Sequence, residues 1–100
     1  MIDFTPVTGF QWDDGNLYKS ARKHGADLFE AEQVFFNDPL LILVDMAHSI
    51  DEPRYHALGQ TDEGRQLHIS FTMRAMETRI RIMSARSMSR REKNYYAENT

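Results

Sequence analysis

The residue types in this chain best suited to chemistry are its arginines, and they are unevenly placed. Residues 61–100 hold eight Lys/Arg against five Asp/Glu, a balance of +3, while residues 1–60 hold four against ten, a balance of −6; the two sum to the formal net charge of −3. Seven of the eight late cations are Arg, whose planar fork of donors grips phosphate and carboxylate groups bidentately. A half that is basic through arginine suits an anionic ligand, and it suits an acidic partner protein equally well. Arg74, Arg79 and Arg81 fall in two runs that alternate polar and apolar residues, and Arg54 opens a shorter one. The bland role for each is a solvated sheet face with ion pairs, to Glu63 or Glu77 for the first group and to Glu52 or Asp51 for Arg54. Arg86, Arg90 and Arg91 flank the start of the last helical segment, where backbone amides favour anions, although partner contact or solvation compete as roles.

Histidine is the other group to weigh, because its ordinary titration lies near neutral pH. His24 follows Lys23 at a predicted helix end, where the helix dipole favours positive charge, and either acid–base work or a plain helix stop at Gly25 fits it. By alternation His68 shares a side with Arg74, while His48 and His56 are weaker candidates. The four histidines show no HExxH or comparable ligand spacing, so no metal site and no cofactor are expected. There is no cysteine, which removes disulfides and thiolate sites. Trp12 and Phe10 have the rings to stack on bases, but burial is the expected fate. The methionines Met73, Met76, Met83 and Met88 read as packing and adaptable surface.

One hundred residues make a single domain, and a chain that is 41% hydrophobic and 27% charged is of globular type. The longest apolar run, Leu40 to Val44, is far too short to cross a bilayer, and Asp3, Pro6 and Gly9 interrupt any secretory pattern. A reduced, cytoplasmic domain is expected, with residues 1–9 a loose leader and 10–100 the domain.

These candidates must be positioned by a short list of elements. Phe10-Gln11-Trp12 alternates as a strand does, Asp13-Asp14-Gly15 turns it, and residues 16–23 have helical composition ending at His24-Gly25. Asp27 and Glu30 form a capping-box pattern, and Leu28, Ala31, Val34 and Phe35 recur at helical spacing over 28–37. Asn37-Asp38-Pro39 stops that helix. Leu40 to Met46 reads as a buried strand, and Arg54 to Gly59 as a short one. Gln66 to Arg74 puts Leu67, Ile69, Phe71 and Met73 on one side and His68, Ser70, Thr72 and Arg74 on the other. In 78–85, Ile80 and Ile82 alternate with Arg79, Arg81 and Met83, completing a hairpin. Ser89 and Glu92 form a second capping box, opening a helix through about Glu98. The fold class is α+β: a small antiparallel meander, two helices before it and one after, with helices packed on one sheet face. The other face displays His68, Ser70, Thr72, Arg74, Arg79 and Arg81.

In order and spacing, several of these segments resemble the BrnT toxin family, whose fold is similar to the RelE-type ribonuclease toxins. The segments are Phe10-Gln11-Trp12-Asp13; Asn16 with Arg22-Lys23-His24-Gly25; Glu30-Ala31 through Val34-Phe35 to Asp38-Pro39; and Arg54-Tyr55 through Leu58-Gly59. They continue with Gly64-Arg65 through Phe71-Thr72-Met73-Arg74, then the run Arg79 to Arg86, then Arg90-Arg91-Glu92 through Tyr95 or Tyr96. The sequence departs from the family at Pro53, where an acidic residue is expected (Glu52 sits one step earlier), and at Ser87, where Pro is common. The resemblance implies a type II toxin that cuts RNA and arrests growth. It also implies a BrnA-like antitoxin as partner, in a heterotetramer, with operator DNA reached only through that antitoxin.

Metal-free RNA cleavage requires a group that helps deprotonate the 2′-hydroxyl, cations that hold the charge building on phosphorus, and a proton for the leaving oxygen. Arg54, Arg74, Arg81 and His24 are the expected catalytic residues, and Lys23, Arg79, His68 and Arg86 the expected RNA contacts. The alternative is a catalytically weak or inactive interaction module of the same fold, acting with its antitoxin in operon repression. A free-standing nucleic-acid-binding domain fits less well, since a basic half this modest binds weakly and loses affinity steeply with salt.

Overall fold

The computed structural model describes residues 4–12, 27–47, 49 and 52–100. The helix expected over 16–23, the turn before it and the stop at Gly25 lie outside these residues. The elements in chain order are β1 (Gly9–Trp12), α1 (Leu28–Val34), β2 (Leu41–Val44), β3 (Tyr55–Gln60), β4 (Gln66–Arg74), β5 (Arg79–Ser87) and α2 (Arg90–Glu98). Both capping boxes are formed: Asp27 caps α1 with Glu30 reaching back, and Ser89 caps α2 with Glu92 reaching back. Each satisfies backbone donors that a helix start leaves open.

The sheet order is β1-β5-β4-β3-β2. Strands β2 to β5 make the antiparallel meander expected from alternation. β1 joins as a parallel edge strand on β5, from Gly9↔Arg79 to Trp12↔Ile82, so the sheet is mixed rather than wholly antiparallel. Alternation shows that Phe10-Gln11-Trp12 is a strand, but pairing direction depends on the distant partner. The fold is α+β, as the sequence predicts.

The helices lie on opposite faces, which corrects the expectation of one shared face. On the first face Ala31 and Val34 of α1 pack with Ala57, Leu67, Ile69, Phe71, Ile80, Ile82 and Ala85. Phe35 meets Phe71 edge-on with ring centroids 5.2 Å apart, and Phe10 and Trp12 pack against this core as expected. From Phe4 onward the segment ahead of β1 is also in contact with it, through Phe4 and Val7. The second face is apolar at one end only, where Leu58 and its neighbours Leu41 and Leu43 meet Met88 and Tyr96. That end needs a cover, and α2 supplies it.

Two local features set side-chain directions. Opposite β4, Ser70 pairs with Ser84 but Phe71 with Ile82, so Met83 is an extra residue, a β-bulge. It reverses the parity of β5, allowing Ile82 and Ala85 to enter the same core. The β4–β5 turn holds Ala75, Met76 and Glu77 in the left-handed region (φ 52°, 56° and 69°), which costs an L-residue roughly 1–2 kcal/mol each.

Two expected outcomes concern stability. A Cβ on Gly59 would stand 2.7 Å from Val34 Cγ1, so Gly59→Ala should lower urea-melt stability by about 1–3 kcal/mol. Met76 is 96% exposed, and Met76→Gly should relieve its turn strain and raise stability by about 1 kcal/mol in the same assay.

Candidate functional site

The second sheet face is read off the register. Leu58 pairs with His68 and His68 with Arg86; His56 pairs with Ser70; Thr72 pairs with Arg81; and Arg74 pairs with Arg79. Because strand side chains alternate, these rows lie side by side on the face away from α1. α2 covers the Leu58 end of the face through Met88 and Tyr96. A cavity of about 420 Å³ opens there, lined by Leu43, His56, Leu58, His68, Arg91, Glu92 and Tyr95.

Beside the cavity, Arg86 grips Glu92 with both arms: Nη1 donates to Oε1 at 2.7 Å and Nη2 to Oε2 at 2.8 Å. Glu92 Oε1 also accepts the Ser89 backbone N–H of the cap, so one carboxylate ties the start of α2 to β5. The hydrogen bonds from Arg86 bring the Glu92 carboxyl down to about 2. His68 Nε2 lies 3.6 Å from Glu92 Oε2, and its side chain is 12% exposed. Burial, reinforced by the Arg86 charge, lowers the His68 imidazole to about 4, so it is neutral at pH 7. Arg86 and His68, expected as RNA contacts, are thus members of one supporting cluster.

Next along the face is a chain of three groups. His56 Nε2 lies 2.9 Å from Asp45 Oδ2, and His56 Nδ1 lies 3.1 Å from Ser70 Oγ. Asp45 is 8% exposed, and its Oδ1 accepts the Ala47 backbone N–H at 3.1 Å. The His56 ring stands beside that of His68, with centroids 4.6 Å apart. Neither Asp45 nor Ser70 was among the sequence candidates, and His56 was among the weakest. The alternation of β3 and β4 carries a signal for the His56–His68 pair, but it becomes legible only with the register.

The arginine rows continue the face beyond Ser70. Arg74 Nη1 donates to Glu52 Oε2 at 2.8 Å, an ion pair with an acid other than the two weighed from the sequence. Arg79 turns to the neighbouring edge, where its Nη1 donates to Thr8 Oγ1 and to the Thr78 carbonyl. Arg81 sits between them and the histidine rows, opposite Thr72. Arg54 precedes β3, with its N–H donating to Ser49 Oγ and its carbonyl accepting from Asp45 N–H. Three side-chain polar atoms among the described residues are buried without a hydrogen-bond partner: Arg54 Nε, His68 Nδ1 and Thr72 Oγ1. Thr72 and His68 belong to the rows just described. The face therefore carries polarity that the described residues do not satisfy among themselves, a feature that invites explanation. Lys23 and His24 lie outside the described residues. Among the described residues, no group of three His, Cys, Asp or Glu is arranged to hold a metal, and no helix is long and apolar enough to cross a membrane.

A family model described as "Ribonuclease toxin, BrnT, of type II toxin-antitoxin system" matches residues 12–92. The chain belongs to the BrnT family. The match spans every element from the end of β1 to the first turn of α2, and so takes in the whole second face. Among solved structures, the crystal structure of the Brucella abortus ribonuclease toxin BrnT is similar, with a TM-score of 0.63 at 19% identity. That likeness covers 84% of this chain and 100% of the other, and at this identity it bears on the fold. No curated protein matches the chain. As a BrnT family member it is a ribonuclease toxin at the level of the family, and an antitoxin is the partner that a type II system implies.

The cluster around Glu92 makes stability depend on pH. His68 titrates near 4 folded against 6.5 unfolded, so the unfolded chain binds more protons and stability falls as pH drops through that window. Glu92, near 2 folded against 4.5 unfolded, extends the loss to lower pH. Thermal melts from pH 7 to 4 should therefore show a falling Tm. A His68→Gln variant should show a flatter slope between pH 6.5 and 4, and an unchanged slope would remove His68 from this account.

Proposed function

We propose that this BrnT family protein is a metal-independent endoribonuclease, with its site on the sheet face opposite α1, and that a BrnA-like antitoxin neutralises it. The observation that carries this reading is the register. It sets Arg81 opposite Thr72 and Arg74 opposite Arg79, in rows adjoining the His56–Ser70 row. Cations beside an ordered imidazole are the groups that phosphodiester cleavage through the 2′-hydroxyl requires. Arg81, Arg74 and Arg54 hold the scissile phosphate, and their fixed charge stabilises the negative charge that builds on its oxygens. The charge stabilisation that a divalent ion supplies in other nucleases thus comes from guanidinium groups. Arg74 must release or share its bond with Glu52 to do this. The toxin acts in the cytoplasm, and the complex with antitoxin is a heterotetramer that reaches operator DNA only through the antitoxin.

A second reading is favoured by one observation. Arg74 and Arg86 are both ion-paired within the chain, which suits an inert module whose face serves the antitoxin alone. The two readings separate in a cleavage assay with labelled RNA in EDTA, with and without ribosomes. Wild-type protein stripped of antitoxin should cut, and an Arg74→Ala, Arg81→Ala double variant that still melts cooperatively should lose about a hundredfold or more in rate. Equal cutting by both proteins would take the site off these arginines. No cutting by the wild type, with antitoxin binding retained, would establish the inert module.

A further inference from the structure

We propose that His56 is a catalytic residue of the cleavage reaction, accepting the proton of the attacking 2′-hydroxyl, and that Asp45 is the residue that positions it. This rests on the ribonuclease reading above. The two histidines of the cavity are placed for different work. His68 is largely buried and faces Glu92, itself held by Arg86. Kept neutral down to about pH 4, it is a weak base, and it serves as a wall for its neighbour. His56 is more open, its side chain 25% exposed, and it lines the cavity.

The orientation of His56 is fixed from behind. Both Asp45 carboxylate oxygens are engaged, Oδ2 by His56 Nε2 at 2.9 Å and Oδ1 by the Ala47 N–H. A carboxylate accepts and cannot donate, so the His56 tautomer that fits carries its proton on Nε2. The Nδ1 lone pair then faces Ser70 Oγ, 3.1 Å away. Ser70 donates to that lone pair through a hydroxyl that can rotate, so a substrate hydroxyl can take its place. This is the arrangement in which a buried acid holds an imidazole so that its other nitrogen can accept a proton. The groups facing His56 are Asp45 after β2, Ser70 and His68 on β4, and Arg91, Glu92 and Tyr95 across the cavity. The cavity, about 420 Å³, falls in the range of roughly 300–1,000 Å³ usual for ligand sites.

The step balances without a further reagent. The 2′-oxygen bonds to phosphorus as its proton passes to His56 Nδ1, and the bond from phosphorus to the 5′-oxygen breaks. The 5′-oxygen takes a proton from solvent and the imidazolium returns its own to water. The products are a 2′,3′-cyclic phosphate and a 5′-hydroxyl.

The test is steady-state cleavage of a labelled RNA by the full chain and three variants, each checked by thermal melting. His56→Gln keeps hydrogen-bonding groups for Asp45 and Ser70 but transfers no proton; it should fold and lose on the order of 10²–10⁴ in rate. His56→Ala should lose as much and regain about tenfold or more when imidazole is added, a rescue that a structural role does not produce. Asp45→Asn should lower kcat with KM unchanged, as expected when only the transition state loses support. A folded His56→Gln protein cutting within about threefold of wild type, or a folded His56→Ala protein without rescue, overturns the proposal while leaving the ribonuclease reading intact. A wild type that cuts no RNA overturns the ribonuclease reading, and the role of His56 falls with it.

Discussion

The pairing of β4 on both of its edges is the constraint on which the rest of the molecule depends. Residues 66–71 pair with β3 on one side and residues 67–74 with β5 on the other, so the strand cannot slip without breaking two ladders. A slip of one residue would send Leu67, Ile69 and Phe71 to the polar face and His68, Ser70 and Thr72 into the core. Burial of Phe71 alone, with edge-on contact to Phe35 and stacking against Tyr55, makes that exchange costly, since loss of a buried Phe is worth about 3–5 kcal/mol. The polar face is therefore held in register by the apolar face behind it. No polar contact on that face needs to fix its own strand alignment.

On that face the polar groups sort into two kinds. Arg86, Glu92 and His68 form a closed cluster in which charge meets charge and the helix cap shares the same carboxylate. Removing one member would strand the others at partial burial, so the cluster anchors α2 to the sheet. Asp45, His56 and Ser70 form a line instead, ending in a hydroxyl that can turn. Arg74 and Arg81 extend the face beyond that line. A rigid cluster next to an open-ended one is the division that a site needs, with a supporting wall and a part that can exchange partners.

Most of the scaffold was legible in the residues. Both capping boxes and the alternation of β4 and β5 are local signals, written within a few positions of the element they describe, whereas α1 ends at Val34, short of the expected stop at Asp38-Pro39. The arginine rows were legible for the same reason. The parallel pairing of β1 was not, because it is decided by β5, far along the chain. The side of the sheet taken by α2 was not either, since it depends on Leu58, Leu41 and Leu43 meeting in space. Asp45 escaped notice because it reads as the polar end of an apolar strand, and only the fold brings it to His56. Arg86 carries the opposite kind of signal: an arginine near a helix start looks open to phosphate, and in the fold its fork is bonded to Glu92.

The extra residue in β5 has a consequence for how such a sequence can vary. Before Met83 the even positions Ile80 and Ile82 enter the core; beyond it the odd position Ala85 does. The two halves of the strand obey opposite counting rules, joined at one residue. Losing that residue would close the bulge into a uniform strand, with Ile82 and Ala85 still in the core and Ser84 and Arg86 still on the polar face. A deletion at Met83 therefore keeps each side chain on its own side, whereas a change of length that leaves the bulge in place reassigns half a strand. Elsewhere in β5, length itself carries the information about which side is which.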